Sequence, residues 1–344
     1  YIRDDKLNIV ECQILSKKKD PGIIKKISTV NYRGWVYDLE TENHNFTAGV
    51  GLIRVHNTGA RRAHEQLRGK VTFDTELKGQ YTDMNGHGSH VATTIAGRYS
   101  VDEMLSRVVG RRVECMGIAP GAYVYAVKTL GYAIGTGSIS SIIKGIEDAL
   151  EYGVDVLNLS LGGECEHRVP EEDPMYDVFN EVIKLGVIPV VAAGNSGPDP
   201  NTIESPGWLP NVITVGAVSP LTGEVAEFSS RGPTNDGRIK PSCVGYGVNL
   251  HSGIAGQLDY AVDHEPNRYS PLSGTSMATP TVSGMVLLFK QAFRYAVGDK
   301  FTFNDMMDML RKTATEPKNN EYGWGLVTWD RFAEWLETEH GVIL

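Results

Sequence analysis

Long uncharged apolar runs are missing from the 344 residues, and none approaches the ~18 residues that a membrane-spanning helix needs. A basic excess is missing too. The sequence sets 33 Lys and Arg against 42 Asp and Glu, a net charge of −9, which leaves no footprint for nucleic acid. The run Lys17-Lys18-Lys19 is short and precedes the turn signal Asp20-Pro21-Gly22, so it reads as a solvated loop. Cysteine is scarce. Cys12, Cys115, Cys165 and Cys243 show neither CxxC spacing nor grouping with histidine, which gives a zinc site no support. Three of them follow residue 57, an odd number that permits at most one bridge there and argues against a disulfide framework. No loop clusters carboxylates as a calcium site requires, so no cofactor is expected and structural calcium stays an open question. The chain opens at Tyr1 with no Met, charged n-region or apolar h-region, and we expect further polypeptide upstream. What is present suits a globular protein: 41% hydrophobic residues and 38 glycines for tight turns. The length fits two domains, or one large α/β domain with an appendage.

Residues 1–57 read as short β-leaning runs at 23–30, 35–39 and 51–55, separated by turn signals. Within them, Val36-Tyr37-Asp38-Leu39-Glu40, His44-Asn45-Phe46, Gly49 and the closing His56-Asn57 stand in order. Alone, His56-Asn57-Thr58 fits a β-hairpin loop as well as any chemistry. The whole block, however, resembles the C-terminal end of an intein, a self-excising protein element. The resemblance implies that Asn57 cyclises its side chain onto its own carbonyl and so breaks the next peptide bond. His56 and His44 would assist by polarising that carbonyl and shuttling protons. Thr58 would supply the hydroxyl that accepts the upstream segment, with Asp38 helping to activate it. Neither the first-residue Cys or Ser of an intein nor its Thr-x-x-His block is present. Alone, the chain is therefore not expected to complete splicing.

From Thr58 onward, apolar runs at 123–129, 154–161, 187–193 and 212–218 alternate with helical spacing at 138–152 and 173–185. That alternation predicts a parallel sheet with helices on both faces, with its site at the carboxyl ends of the strands. Three motifs fall there. Asn85-Gly86-His87-Gly88-Ser89-His90 opens an amphipathic segment ending near Gly97, and its glycines leave the imidazole of His87 accessible. Val190–Val191–Ala192–Ala193–Gly194–Asn195 ends an apolar strand in an amide. Leu272-Ser273-Gly274-Thr275-Ser276-Met277-Ala278-Thr279-Pro280 places Ser276 among small residues at the start of a helix running to about Tyr295, where backbone donors favour negative charge. Pro280 is expected in the first turn, whose N–H groups are unpaired anyway. Each motif has a plainer reading: a satisfied histidine, a His87/His90 metal pair, a turn Asn before glycine, a small-residue packing face.

Taken in this order, the three resemble the motifs of subtilisin-like serine proteases, and the likeness covers nearly all of 58–330. It implies that His87 is the general base, His90 a structural neighbour, Asn195 an oxyanion donor and Ser276 the nucleophile of an acyl-enzyme mechanism. It further implies that Ser160, Leu161 and Gly162, with Ala193 and Gly194, bind the substrate peptide, which adds as a strand. Residues 205–207 and 210–212 would wall the pocket for the residue before the cut. Residues 98–115 are longer and more charged than the usual connection, so a surface excursion is expected. Lys240-Pro241-Ser242 stands where the family reads Lys-Pro-Asp, and altered packing is expected there.

The triad Asp is the larger departure. Thr58-Gly59 reads as the remainder of an Asp-Thr-Gly sequence whose Asp has been cut away. Asp74 and Asp83 both precede His87, but Asp74 falls too far past Thr58-Gly59 and Asp83 sits where the family carries a non-catalytic Asp. Neither is assigned. The expectation is a β-rich intein fragment over 1–57, then a peptidase domain over 58–344 that lacks its first strand and catalytic Asp. Its partners would be a peptide substrate and the missing upstream intein and protease segment. The rival reading is a splicing-only or incomplete fragment that binds peptides as a pseudoprotease.

Overall fold

The computed structural model describes residues 59–73, 83, 85–129, 137–255 and 268–343, with the backbone of 2–3 and 9–11. The chain divides into two compact units, Tyr1–Leu52 and Ile53–Leu344. In the first, β1 (Ile2–Arg3) pairs antiparallel with β2 (Ile9–Glu11). Asp38, His44, His56, Asn57, Thr58, Asp74 and Cys12 lie outside the described residues, as do the runs at 23–30, 35–39 and 51–55.

The second unit is α/β. In chain order it runs β3 (Val71–Phe73), α1 (His87–Ala96), β4 (Ser100–Val101), α2 (Glu103–Val109), β5 (Glu114–Cys115), β6 (Val124–Ala126), α3 (Ile139–Tyr152) and β7 (Val156–Leu159). Then come α4 (Tyr176–Lys184), β8 (Ile188–Ala192), β9 (Ile213–Val218), β10 (Cys243–Tyr246), β11 (Leu250–Ile254), β12 (Arg268–Leu272), α5 (Thr275–Ala296), α6 (Phe303–Lys312) and α7 (Trp329–His340). Each apolar run forms its strand and both helical spacings form helices. Ser138 caps α3 by accepting from Ser141 N, and Gly153 ends it in the left-handed region at φ 83°.

Strands β7, β8, β9 and β10 make a parallel sheet in that order, with Leu159 opposite Val191 and Ala192 opposite Val215. Successive side chains alternate between faces, so the sheet has two cores. Val190, Ile213, Val215 and Ala217 pack with α5, α6 and α7 on one side. Leu157, Leu159 and Val191 pack with Ile142 and Ile146 of α3 and Phe179 of α4 on the other. Burial on both faces is why these strands read as continuous apolar runs; each fully buried aliphatic side chain contributes about 1.5–3 kcal/mol. The stacked rings of Phe289 and Phe332, 4.3 Å apart, dock α7 on α5.

Two further pairs complete the unit. β3 pairs with β6 in parallel, apart from the four-stranded sheet, and β11 with β12 forms an antiparallel ribbon over α1. Residues 98–115 do form a surface excursion, a β4–β5 pair enclosing α2, none of whose residues is buried.

One local expectation is corrected. Pro280 lies inside α5, five residues after its start at Thr275 and so beyond the first turn. Having no N–H, it leaves the carbonyl of Ser276 without its helical donor. Its buried neighbours are small, and Thr279 Oγ1 donates to Thr275 O at 2.8 Å.

Candidate active site

Ser276 is the second residue of α5, 8% exposed, and its hydroxyl donates to Ser160 O at 3.3 Å. Its N–H belongs to the first helical turn, where no intrahelical acceptor exists. The start of α5 is anchored from β8. Asn195 lies just past the carboxyl end of that strand, and its Oδ1 accepts from Thr275 N at 2.9 Å and from Thr275 Oγ1 at 3.1 Å. The Thr275 N–H can only donate, so it needs the amide oxygen, which orients the Asn195 side chain. The Nδ2 end is left for the groove.

His87 is the first residue of α1, half-buried, with Gly86 before it at φ 91°. Asp83 builds this helix start: Oδ1 accepts from Asn85 N and Gly86 N at 3.1 and 2.7 Å, and Oδ2 from Ser89 N at 2.7 Å. A carboxylate bonded to a helix N-terminus in this way is a capping group. Gly88 is packed so tightly on the carbonyl of Gly59 that a Cβ there would collide with it.

His90 lies three residues further along α1. It is buried, and its Nε2 faces Leu250 O and Ser270 O of the β11–β12 ribbon at 2.9 and 3.2 Å. Carbonyls only accept, so Nε2 carries the proton and His90 is neutral; burial pushes its pKa down to about 4. Among the described residues no group of three His, Cys, Asp or Glu is placed to hold a metal ion.

His87, Asn195 and Ser276 open on one groove of about 1510 Å³. Its far wall comes from the excursion that the sequence reading left as mere surface: Met104 and Val108 of α2, 81% and 75% exposed, stand one helical turn apart and line it. The i, i+4 apolar pair on a helix with no buried residue was the available signal.

The expected substrate edges also converge. Ser160, Leu161 and Gly162 follow β7, and the adjoining Gly163 exchanges backbone hydrogen bonds with Ser205 at 2.9 and 2.8 Å. Ala193 and Gly194 follow β8, and Ala193 O accepts from Glu204 N at 2.9 Å. Between the two edges stands a residue the sequence reading did not single out. Glu204 packs against Gly162 and Gly194, where a Cβ on Gly194 would come within 2.5 Å of its carboxyl carbon. Its Oε1 accepts from Asn195 N at 3.1 Å and Ser196 Oγ at 2.9 Å, and burial raises its pKa. Among the described residues no Lys or Arg pairs with it. Nothing in the spacing marks a lone Glu before Ser-Pro-Gly.

The Peptidase S8 subtilase family model matches residues 52–325. The chain belongs to the subtilase family. Among subtilases it is 33% identical over 311 residues to serine protease AprX of Bacillus subtilis, covering 83% of this chain and 66% of that protein. It is 31% identical over 374 residues to pyrolysin of Pyrococcus furiosus, covering 91% and 25%. Against subtilisin Savinase of Lederbergia lenta it is 37% identical over 289 residues, covering 83% and 91%. The chain thus spans less than two thirds of the first two proteins. Among the described residues, no helix is long and apolar enough to cross a membrane.

Proposed function

We propose that the chain is the C-terminal part of a subtilisin-like serine endopeptidase that becomes complete when an intein, ending at Asn57, is spliced out and an upstream Asp is joined to Thr58. The observation that carries the protease reading is the common groove of Ser276, His87 and Asn195. There Ser276 Oγ attacks the peptide carbonyl while His87 takes its proton, later returning it to the leaving amine. Asn195 Nδ2, fixed through its bonded Oδ1, and the Ser276 N–H stabilise the oxyanion. The joined Asp would hold His87 in the tautomer this exchange requires.

Glu204 extends the proposal to the substrate. A half-buried acid with no cation among its described neighbours, set between the two edges that flank a substrate strand, suits a Lys or Arg immediately before the cut. The apolar pair Met104 and Val108 suits apolar side chains elsewhere along the substrate.

The intein reading rests on the order of Asp38, His44, His56-Asn57 and Thr58 and on the break in Asp-Thr-Gly. Co-expression with the upstream segment tests it. The chain is expected to lose residues 1–57, and Asn57→Ala to block release of the C-terminal product. Normal release from Asn57→Ala ends the intein reading. Peptidase activity in the joined product that survives Ser276→Ala ends the protease reading.

A further inference from the structure

Two parts of the chain that are distant in sequence meet beside the groove. Asp102, the residue before α2, uses its carboxylate oxygens in two directions. Oδ1 accepts from Leu105 N at 2.9 Å and caps the helix, and Oδ2 lies 3.0 Å from Nε2 of His251 in β11. A carboxylate only accepts, so that nitrogen carries the proton. The Asp102 side chain is 8% exposed, which keeps the contact from being screened by water and salt. A second tie lies beside it. The hydroxyls of Ser100 in β4 and Tyr269 in β12 are hydrogen-bonded at 2.7 Å, and the Tyr269 ring stacks on that of His251 with centroids 6.0 Å apart. The excursion is thus bound to the β11–β12 ribbon by its own side chains.

The ribbon in turn leads into the nucleophile helix. His251 stands opposite Pro271 of β12, that strand ends at Leu272, and only Ser273 and Gly274 separate it from Thr275 at the start of α5. Leu272, Ser273 and Gly274 line the groove together with Met104 and Val108. A short path therefore sets the place of α2 relative to Ser276. The other members of the groove tell which side of the cut this wall serves. Ser160, Leu161, Gly162, Ala193 and Gly194 of the two substrate edges do not line it, whereas His87 does. In the reading above, those edges hold the residues before the cut, and His87 returns its proton to the amine that leaves. The groove along α2 thus carries the leaving peptide.

We propose that α2 is a wall for the leaving peptide, where Met104 and Val108 take an apolar side chain from beyond the cut and the Asp102–His251 contact is the positioning pair that holds the wall in place. The proposal rests on the function proposed above and deepens it. Met104 and Val108 supply the apolar contact. Asp102 and His251 act through the placement of α2.

The test follows the acyl-enzyme of the joined protein, formed from a peptide ester, as it partitions between water and an added amine. In the transfer the amine nitrogen bonds to the acyl carbon, the bond from that carbon to Ser276 Oγ breaks, and the amine's proton passes through His87 to Oγ. The probes are Leu-Leu amide and Ser-Ser amide at equal concentration. Leu-Leu amide should capture about tenfold more acyl group, as expected for an apolar side chain moved partly out of water. Met104→Ser combined with Val108→Ser should remove the preference; the two side chains are 81% and 75% exposed, so the core is untouched. His251→Ala should lower the preference several-fold while acyl-enzyme hydrolysis keeps its rate. His251→Gln, whose Nε2 still donates to Asp102, should restore it. Equal capture of the two amines overturns the proposal, whether residues 256–267 cover the wall or the leaving peptide takes another course. A preference that survives the double substitution or His251→Ala overturns it too. So does a fall in hydrolysis that keeps step with the preference in His251→Ala, since the pair is then merely structural. An acyl-enzyme that never forms ends the protease reading as well, which tells the two failures apart.

Discussion

Asn195 Oδ1 and the Thr275 N–H, 2.9 Å apart, tie the end of β8 to the start of α5, so one contact positions both the proposed oxyanion donor and the proposed nucleophile, Ser276. Loss of a single oxyanion-hole donor lowers kcat by about 10²–10³. In the joined protein Asn195→Ala should show a fall of that size with KM little changed. Asn195→Asp keeps an acceptor for Thr275 but offers no Nδ2–H, and should fall at least as far. Retention of wild-type kcat by both would remove Asn195 from the mechanism.

Glu204 bears on selectivity. Peptides with Arg or Lys before the scissile bond should show a higher kcat/KM than peptides with Phe there. The preference should strengthen as pH rises through the raised pKa of Glu204, since only the ionised acid pairs with a cation. Glu204→Gln should lower the Arg-to-Phe ratio tenfold or more while active-site labelling persists. An unchanged ratio contradicts the assignment.

His90 makes stability depend on pH. Its folded pKa of about 4 lies below the ordinary 6.5, so the unfolded chain takes up a proton first. The stability it contributes is present above pH 6.5 and is lost as pH falls toward 4. The loss is on the order of 3 kcal/mol. Urea unfolding between pH 7 and 4 should show a shallower decline for His90→Gln than for the parent, relative to each one's stability at pH 7. Parallel curves would show that His90 is not the group responsible.

Lys240 is buried with Val212 O at 2.9 Å, Thr214 Oγ1 at 2.7 Å and Ser242 Oγ at 3.3 Å, and burial lowers its pKa well below that of a free lysine. Ser242→Asp supplies the missing countercharge and should raise stability by about 1–3 kcal/mol at pH 7, read as a higher urea midpoint. A lower midpoint would show that the three oxygens already satisfy the ammonium.

Much of this was legible in residue patterns. Doubly covered strands such as 188–192 announce themselves by continuous apolarity, and Ser138 and Gly153 mark the ends of α3 through local backbone chemistry. The stretches around Ser276, His87 and Asn195 stood out because small residues flank each polar side chain. Glu204 did not, since its meaning comes from Gly162 and Gly194, 42 and 10 residues earlier in the chain.

The central claim is that joining an Asp to Thr58 activates Ser276, and fluorophosphonate labelling of Ser276 before and after joining tests it most directly. Loss of the triad Asp alone costs subtilisin about 3 × 10⁴ in kcat. Labelling should therefore be very slow in the chain as it stands and rise by several orders of magnitude in the joined product, and Ser276→Ala or His87→Ala should each abolish it. Equal labelling rates before and after joining would contradict the account.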